Sequence, residues 1–348
     1  MFRKLKLFLI IILGTTFLAA CDTKSFMEDV FSVMEYSVEE SAYEENTIED
    51  SSDKGNVVVE STTENNAVEE GQAKTETIET TECEDTDTTE TTMEVHFIDV
   101  GQGDATLVIC DDEAMLIDAG PGGKGTLLQA YLRKQDVSEL EYLILTHTDA
   151  DHIGSADVIV NKFDIHTVFM GDFPKENKTY LGLLDAFEYF RLDFSTPNVG
   201  NVYALGDATI TIVAPNRKYD NPNDSSIAFM LQHGENRFLF TGDATWDAEQ
   251  DMLANGMDLD CDVYQAGHHG SSTSSHEEFL NAITPEYSVI SCETGNSYGH
   301  PHAEVLNNFR KMGIKVFRTD EQGSIVAYSD GENITWNCAP SESWQVGE

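Results

Sequence analysis

Apolar and polar positions divide the 348-residue chain into three stretches. Leu7 to Phe17 is a short apolar run behind three basic residues, Arg3, Lys4 and Lys6. From 22 to 92 large apolar side chains thin out, and Glu, Thr, Ser and Asn take over. From Met93 onward apolar residues return with regular periods. Short apolar runs predict strands at 95–100, 105–110, 114–118 and 141–146. Further strands are predicted at 208–213, 226–232, 236–241, 262–266, 287–291, 314–318 and 323–328. Spacings of three and four predict helices over 125–134, 180–191, about 246–254, about 276–283 and 303–312. Strands with interspersed helices predict one layered α/β domain over 93–348.

The first twenty residues read as a signal peptide, because the apolar run is too short to span a bilayer comfortably. Leu18-Ala19-Ala20-Cys21 resembles a bacterial lipobox, which predicts cleavage before Cys21 and a lipid on its sulfur. An ordinary secretory signal with a chance cysteine is the alternative. The lipobox reading implies an extracytoplasmic protein held to the membrane through Cys21. Residues 21–92 then form an acidic, disordered spacer, since runs such as 75–82 bury too little surface to offset ordering entropy. Residues 26–37 are the exception and read as a short helix. Cys83, Cys110, Cys261, Cys292 and Cys338 show no CxxC spacing, and Cys110, Cys261 and Cys292 read as core residues.

Charge narrows the partners. The chain carries a net charge of −43, and residues 93–348 contribute 41 Asp/Glu against 14 Lys/Arg, or −27. That balance opposes non-specific binding to nucleic acid, which runs on Lys/Arg contacts to phosphates. Lys124, Arg133, Lys134, Lys175, Lys178, Arg217 and Lys218 are candidates for a local basic path, but they are scattered in sequence. No stable protein partner is implied.

The chemistry concentrates in three motifs. Thr146-His147-Thr148-Asp149-Ala150-Asp151-His152-Ile153-Gly154 follows an apolar strand and sets two imidazoles and two carboxylates within six residues. All are good ligands for divalent metals. Phe238 to Asp243 and Tyr264 to Ser271 are two more strands that end in polar residues, at Asp243 and at His268-His269. His300 and His302 flank Pro301. The lone histidines His96, His166, His233 and His276 read as strand, loop or surface residues.

The nine residues from Thr146 resemble the HxHxDH signature of the metallo-β-lactamase fold, with Asp149 at the second histidine position. Four further segments are similar to the hydrolase domain of ComEC competence proteins. They are Phe97-Ile98-Asp99-Val100-Gly101-Gln102-Gly103-Asp104-Ala105, Leu116 to Gly120, Asn223-Asp224-Ser225-Ser226 and Tyr298-Gly299-His300-Pro301-His302. The resemblance runs from about 95 to 330 and leaves out any channel helices.

It implies an αββα sandwich with two divalent ions, Zn²⁺ or Mn²⁺, at one edge. By position, His147, Asp149 and Asp243 hold one ion, and Asp151, His152, His268 and Asp243 hold the other. The usual third histidine of the first site has no counterpart; Asn223 or Asp224 lies where it is expected. Two divalent ions about 3.5–4 Å apart turn water into hydroxide at neutral pH and clamp a phosphoryl oxygen. Asp151 is then catalytic as well as ligating, and His300 or His302 serves as general acid. Asp99 and Asp118 order a ligand histidine or cap turns. Gln102 and Asp104 lie in a loop beside the metals or in a purely structural turn. Asn223, Asp224, Ser225, His269 and Ser271 are expected around the substrate, although Ser271 also suits a helix cap.

The expected activity is therefore a metal-dependent phosphodiesterase or nuclease, in the manner of DNA uptake. A smaller cell-surface phosphodiester, such as a phosphocholine or teichoic-acid linkage, is the second expectation. A non-catalytic surface binding lipoprotein is the third.

Overall fold

The computed structural model describes residues 92–347. The signal segment, Cys21, the acidic spacer and the helix expected over 26–37 lie outside the described residues. Strands β1 (Met93–Phe97), β2 (Thr106–Cys110) and β3 (Glu113–Ile117) open the domain, followed by helix α1 (Gly125–Lys134) and strand β4 (Glu139–Leu145). Next come α2 (Ala150–Ile153), α3 (Ala156–Lys162), β5 (Asp164–Met170), α4 (Lys178–Phe190) and β6 (Phe194–Ser195). The second half begins with β7 (Val202–Leu205), β8 (Ala208–Ala214), β9 (Ala228–His233) and β10 (Asn236–Phe240). It continues through α5 (Trp246–Ala254), β11 (Val263–Gln265), α6 (Glu277–Ile283), β12 (Tyr287–Ile290) and α7 (Ala303–Met312). Strand β13 (Lys315–Arg318), helix α8 (Thr319–Gln322), β14 (Ile325–Ser329) and β15 (Ile334–Trp336) complete it.

The strands form two sheets, ordered β15-β14-β1-β2-β3-β4-β5-β6 and β13-β12-β11-β10-β9-β8-β7. Strand β4 shows why the apolar runs settle as they do. Tyr142 and Ile144 point into the core between the sheets, while Leu143 and Leu145 point to the opposite face. A strand covered on both faces reads as a continuous apolar run. On that opposite face lie Leu128 and Leu132 of α1, Ile159 and Val160 of α3, and Leu183 and Phe187 of α4. The outer face of the second sheet is covered by Met252 of α5, Phe279 and Ile283 of α6, and Leu306 and Phe309 of α7. The layers are therefore helix, sheet, sheet, helix, which is the αββα sandwich that the resemblance implied.

The short elements β6, β7, α8 and β15 were not predicted, and two further differences are more informative. Residues 156–170 carry a helix and a strand, α3 and β5, where none was predicted. Only one residue, Phe163, separates them, so no Gly or Pro punctuates the change of period. The first strand stops at Phe97 instead of Val100: Ile98 N still donates to the Ala105 carbonyl (2.9 Å) in the register of β1 and β2, and the chain then leaves the sheet as the loop 99–104. Cys110, Cys261 and Cys292 are buried and free, as expected of core thiols.

The sheets meet through aromatic rings. Phe240 stacks on Phe97 at 6.2 Å and on Phe229 at 5.1 Å between ring centroids. Phe240→Ala should cost about 3–5 kcal/mol, because the cavity opens where the sheets touch. Tyr189→Ala, at a side chain 80% exposed, should change stability by no more than about 0.5 kcal/mol. Urea denaturation midpoints of the two variants check this; equal shifts would contradict the assigned core.

Candidate metal centre

Parallel pairing sets where the motifs end up. Strands β3 and β4 run parallel, as do β10, β11 and β12, so their C-terminal ends share an edge of each sheet. Asp118 follows β3, His147 follows β4, Asp243 follows β10, and His268-His269 follow β11. Asp149 stands at the N-terminus of α2, whose single turn carries Asp151 and His152.

Asp243 is the hub. Its Oδ2 lies 3.7 Å from His147 Nε2 and 3.6 Å from His268 Nε2. Its Oδ1 lies 3.2 Å from His152 Nε2 and 3.6 Å from His269 Nε2. Asp151 Oδ2 adds to the second group, 3.4 Å from His269 Nε2, and Asp149 Oδ1 to the first, 3.9 Å from His147 Nε2. The cluster thus has two halves that share one carboxylate.

Each imidazole is held from behind. Asp118 accepts from Thr146 N (2.8 Å), Thr146 Oγ1 (2.7 Å) and His152 Nδ1 (2.8 Å). With its proton committed to Asp118, Thr146 Oγ1 is left to accept from His147 Nδ1 at 3.2 Å. His269 Nδ1 donates to the Ser291 carbonyl (3.0 Å), and His268 Nδ1 pairs with Thr273 Oγ1 (2.9 Å). Fixing Nδ1 in this way aims the Nε2 lone pair at the centre.

The donors fit divalent cations. His147 Nε2 and Asp243 Oδ1 are buried and have no hydrogen-bond partner. His152 Nε2 and His269 Nε2 sit 3.3 Å apart, a distance two lone pairs tolerate only around a proton or a cation. Asp104, His152, Asp243 and His269 are all buried and offer ligand atoms within 4.8 Å of one another. Without a cation the cluster balances itself with protons. Burial disfavours charge on His152 and His269, yet Asp243 outweighs it together with Asp118 for the former and Asp104 for the latter. His152 rises well above the usual imidazole range, and His269 rises to about 9. Burial would also raise Asp243, but the charges of His152 and His269 hold it well below the usual carboxylate range. His147 is pushed to about 3 by burial and by His152.

The backbone is tight where these residues meet. Gly242 takes φ +52°, and a Cβ there would stand 2.9 Å from the Thr146 side chain. His268 and His269 both adopt the left-handed region, φ 53° and 56°. That conformation costs a non-glycine residue about 1–3 kcal/mol, and here it turns two successive imidazoles to opposite oxygens of Asp243.

The placement differs from expectation at this pair. His268 was expected beside Asp151 and His152; it is His269 that lies there, and His268 faces the His147 half. His268 therefore stands where the first half lacked a histidine, with Asn223 Nδ2 3.4 Å from its Nε2. Asp224 points away, accepting from Thr245 N (2.9 Å) and Thr245 Oγ1 (2.6 Å). Ser225 Oγ is spent on the Pro222 carbonyl, whereas its neighbour Ser226 holds the Asp243 amide at 3.2 Å. Asp99 is exposed and caps Gly101 N. Gln102 Oε1 reaches Glu293 N at 3.4 Å. Asp104 is buried 3.7 Å from His269 Nδ1, and burial raises its carboxyl. Ser271 Oγ pairs with Thr273 Oγ1.

The two late histidines part company. His302 Nδ1 accepts from Ser272 N (2.8 Å) and its Nε2 donates to the Tyr298 carbonyl (3.1 Å), so no ring nitrogen is free. His300 Nδ1 is buried without a partner, and its ring lies 5.5 Å from that of His268. Burial and the neighbouring His269 push His300 to about 3. His96, His166, His233 and His276 pair with Tyr131, Glu141, Ser329 and Glu249, away from Asp243. Lys175, which sequence marked only as one of several scattered bases, donates to Asp149 Oδ1.

Sequence relatives assign the chain to a family. The family described as "Metallo-beta-lactamase superfamily" matches residues 98–294. ComE operon protein 3 of Bacillus subtilis (strain 168) is 30% identical over 256 residues, which is 67% of this chain and 32% of that protein. Competence protein ComA of Neisseria gonorrhoeae is 31% identical over 230 residues, 65% of this chain and 31% of that protein. The chain spans about a third of the length of these relatives. Among solved structures, the metallo hydrolase Igni18 of Ignicoccus hospitalis KIN4/I aligns at 17% identity and a TM-score of 0.48, over 68% of this chain and 98% of that one. With more than half its length matched, the chain belongs to the metallo-beta-lactamase superfamily, as a domain homologous to ComE operon protein 3 and related competence proteins.

Proposed function

We propose that the protein is a metal-dependent phosphodiesterase, displayed outside the membrane through a lipid on Cys21. The observation that carries the reading is the shared carboxylate of Asp243, with two imidazole Nε2 atoms facing each of its oxygens. The first half would hold an ion with His147, Asp149, Asp243 and His268, and the second with Asp151, His152, Asp243 and His269. Divalent ions in such a centre supply Lewis acidity, which lowers the pKa of water and offsets charge on a phosphoryl oxygen.

The chain's own residues do the rest. Asp118 keeps the His152 ring oriented and, through Thr146, the His147 ring. His300 lies next to the centre with a ring that burial and His269 hold neutral, so it is placed to give a hydrogen bond to a substrate oxygen and is not the general acid that the sequence offered. His302 supports that loop from behind.

DNA is the substrate favoured by the homology to competence proteins. A smaller cell-surface phosphodiester is favoured by the −27 balance of residues 93–348, which repels a long polyanion. The full chain should hydrolyse a generic phosphodiester, lose activity with chelator and regain it with Mn²⁺ or Zn²⁺. Asp118→Asn should lower ion affinity or activity by about 10–100-fold. Turnover that persists after chelation would refute the reading. Cleavage of DNA that falls steeply with salt would select the nuclease. A small diester hydrolysed well at all salt concentrations would select the other substrate.

His300→Ala should reduce kcat by about 10²–10³-fold, the range for loss of one positioned hydrogen-bond donor. His302→Ala should act more weakly, through loosening of the loop, and a reversed order in steady-state kinetics would reverse the assignment. For the anchor, Cys21→Ser should move the protein from the membrane pellet to the soluble fraction. Unchanged pelleting would refute lipidation.

A further inference from the structure

Asp149 is the carboxylate of the centre that another part of the chain also claims. Its Oδ1, the oxygen 3.9 Å from His147 Nε2, accepts from the Lys175 ammonium. Lys175 belongs to the loop between β5 and α4, and that loop is fixed to the same strand end as the ligands. Gly171 N donates to the Leu145 carbonyl (3.1 Å), and Thr148 Oγ1 donates to the Phe173 carbonyl (2.7 Å). A Cβ on Gly171 would meet the Thr146 carbonyl at 2.6 Å, so loop and strand end are in close contact. The Lys175 side chain is only 20% exposed. A lysine side chain this far covered favours a partner of opposite charge, and Asp149 is that partner.

The other half has no such cation. Among the described residues neither Asp151 nor Asp243 is paired with a Lys or Arg; both face imidazoles. The halves therefore differ in whether their positive charge can leave: an imidazole gives up its proton as an ion takes its Nε2 lone pair, whereas the Lys175 ammonium stays charged. An ion entering beside His147 has to share the Asp149 carboxylate with Lys175, and the ammonium stays close because its loop is pinned. Like charges a few ångströms apart in a site only partly open to solvent still repel, by an amount that solvent reduces but does not remove. An ion entering beside Asp151, His152 and His269 meets no fixed ammonium.

We propose that Lys175 and the ion of the His147 half compete for Asp149, so that this half binds its ion more weakly than the half built on Asp151, His152 and His269. The proposal rests on the metal reading given under Proposed function. Its physical content is separate: one carboxylate oxygen is shared between a built-in cation and a removable one.

The test is calorimetric titration of Mn²⁺ into the full chain stripped of ions, with no substrate present. The wild type should take up two equivalents, one weaker than the other. Asp149→Asn should abolish the weaker equivalent and keep the tighter, which assigns it to the His147 half. Lys175→Gln should tighten the weaker equivalent by about tenfold and leave the tighter one within about twofold, because only one half loses its neighbouring charge. Lys175→Arg, which keeps the charge, should resemble the wild type. Lys175→Met keeps the packed stem and gives the same comparison if Lys175→Gln melts early. Two equal equivalents in the wild type would overturn the proposal. So would a weaker equivalent that is unchanged or weakened further on removal of the charge. Absence of any ion uptake in the wild type would instead overturn the metal reading itself.

Discussion

The structure depends on how the domain accommodates the buried carboxylate of Asp243. The group is 2% exposed and stands among four imidazole Nε2 atoms. A lone carboxylate in such a place would protonate or pull the fold apart. Here every neighbouring imidazole is fixed through its far nitrogen, by Thr146, Asp118, Thr273 or the Ser291 carbonyl. The second layer of partners decides where the lone pairs point, and the lone pairs decide what the centre can bind.

That arrangement explains several costs carried nearby. Two histidines in the left-handed region and a glycine at φ +52° are unfavourable or restrictive taken one at a time. Together they bring β4, β10 and β11 close enough for side chains 147, 152, 243, 268 and 269 to meet. Glu249 performs a related task behind the centre. Its buried carboxylate takes Ser275 N (2.5 Å) and His276 Nδ1 (3.0 Å), which ties α5 to the loop leading into α6.

Much of this was legible in the sequence. Helices at 125–134 and 303–312 match to the residue, since each has an apolar stripe and a polar remainder, and the helix placed at about 246–254 is found there although it buries Glu249. The grouping of His147, Asp149, Asp151, His152 and Asp243 was readable because strand ends aim polar residues at one edge. The orientation of His268 and His269 was not, because it depends on two backbone angles that sequence does not announce. The inertness of His302 was equally hidden, since its partners are a backbone amide and a backbone carbonyl. Lys175 arrives from a loop 26 residues beyond Asp149, and only the packing of Gly171 against the strand end brings it there.

One backbone feature bears on how the protein relates to its cations. Asp104 N donates to the Asp151 carbonyl (3.3 Å), Gly120 N to the Asp104 carbonyl (2.8 Å) and Ala119 N to the His152 carbonyl (2.7 Å). Main-chain bonds stitch the loop at 102–104, the turn after β3 and helix α2 into one unit. A shift of any one of these segments would therefore carry Asp104, Asp151 and His152 along together, so the spacing of these side chains is set by backbone as much as by the side chains themselves.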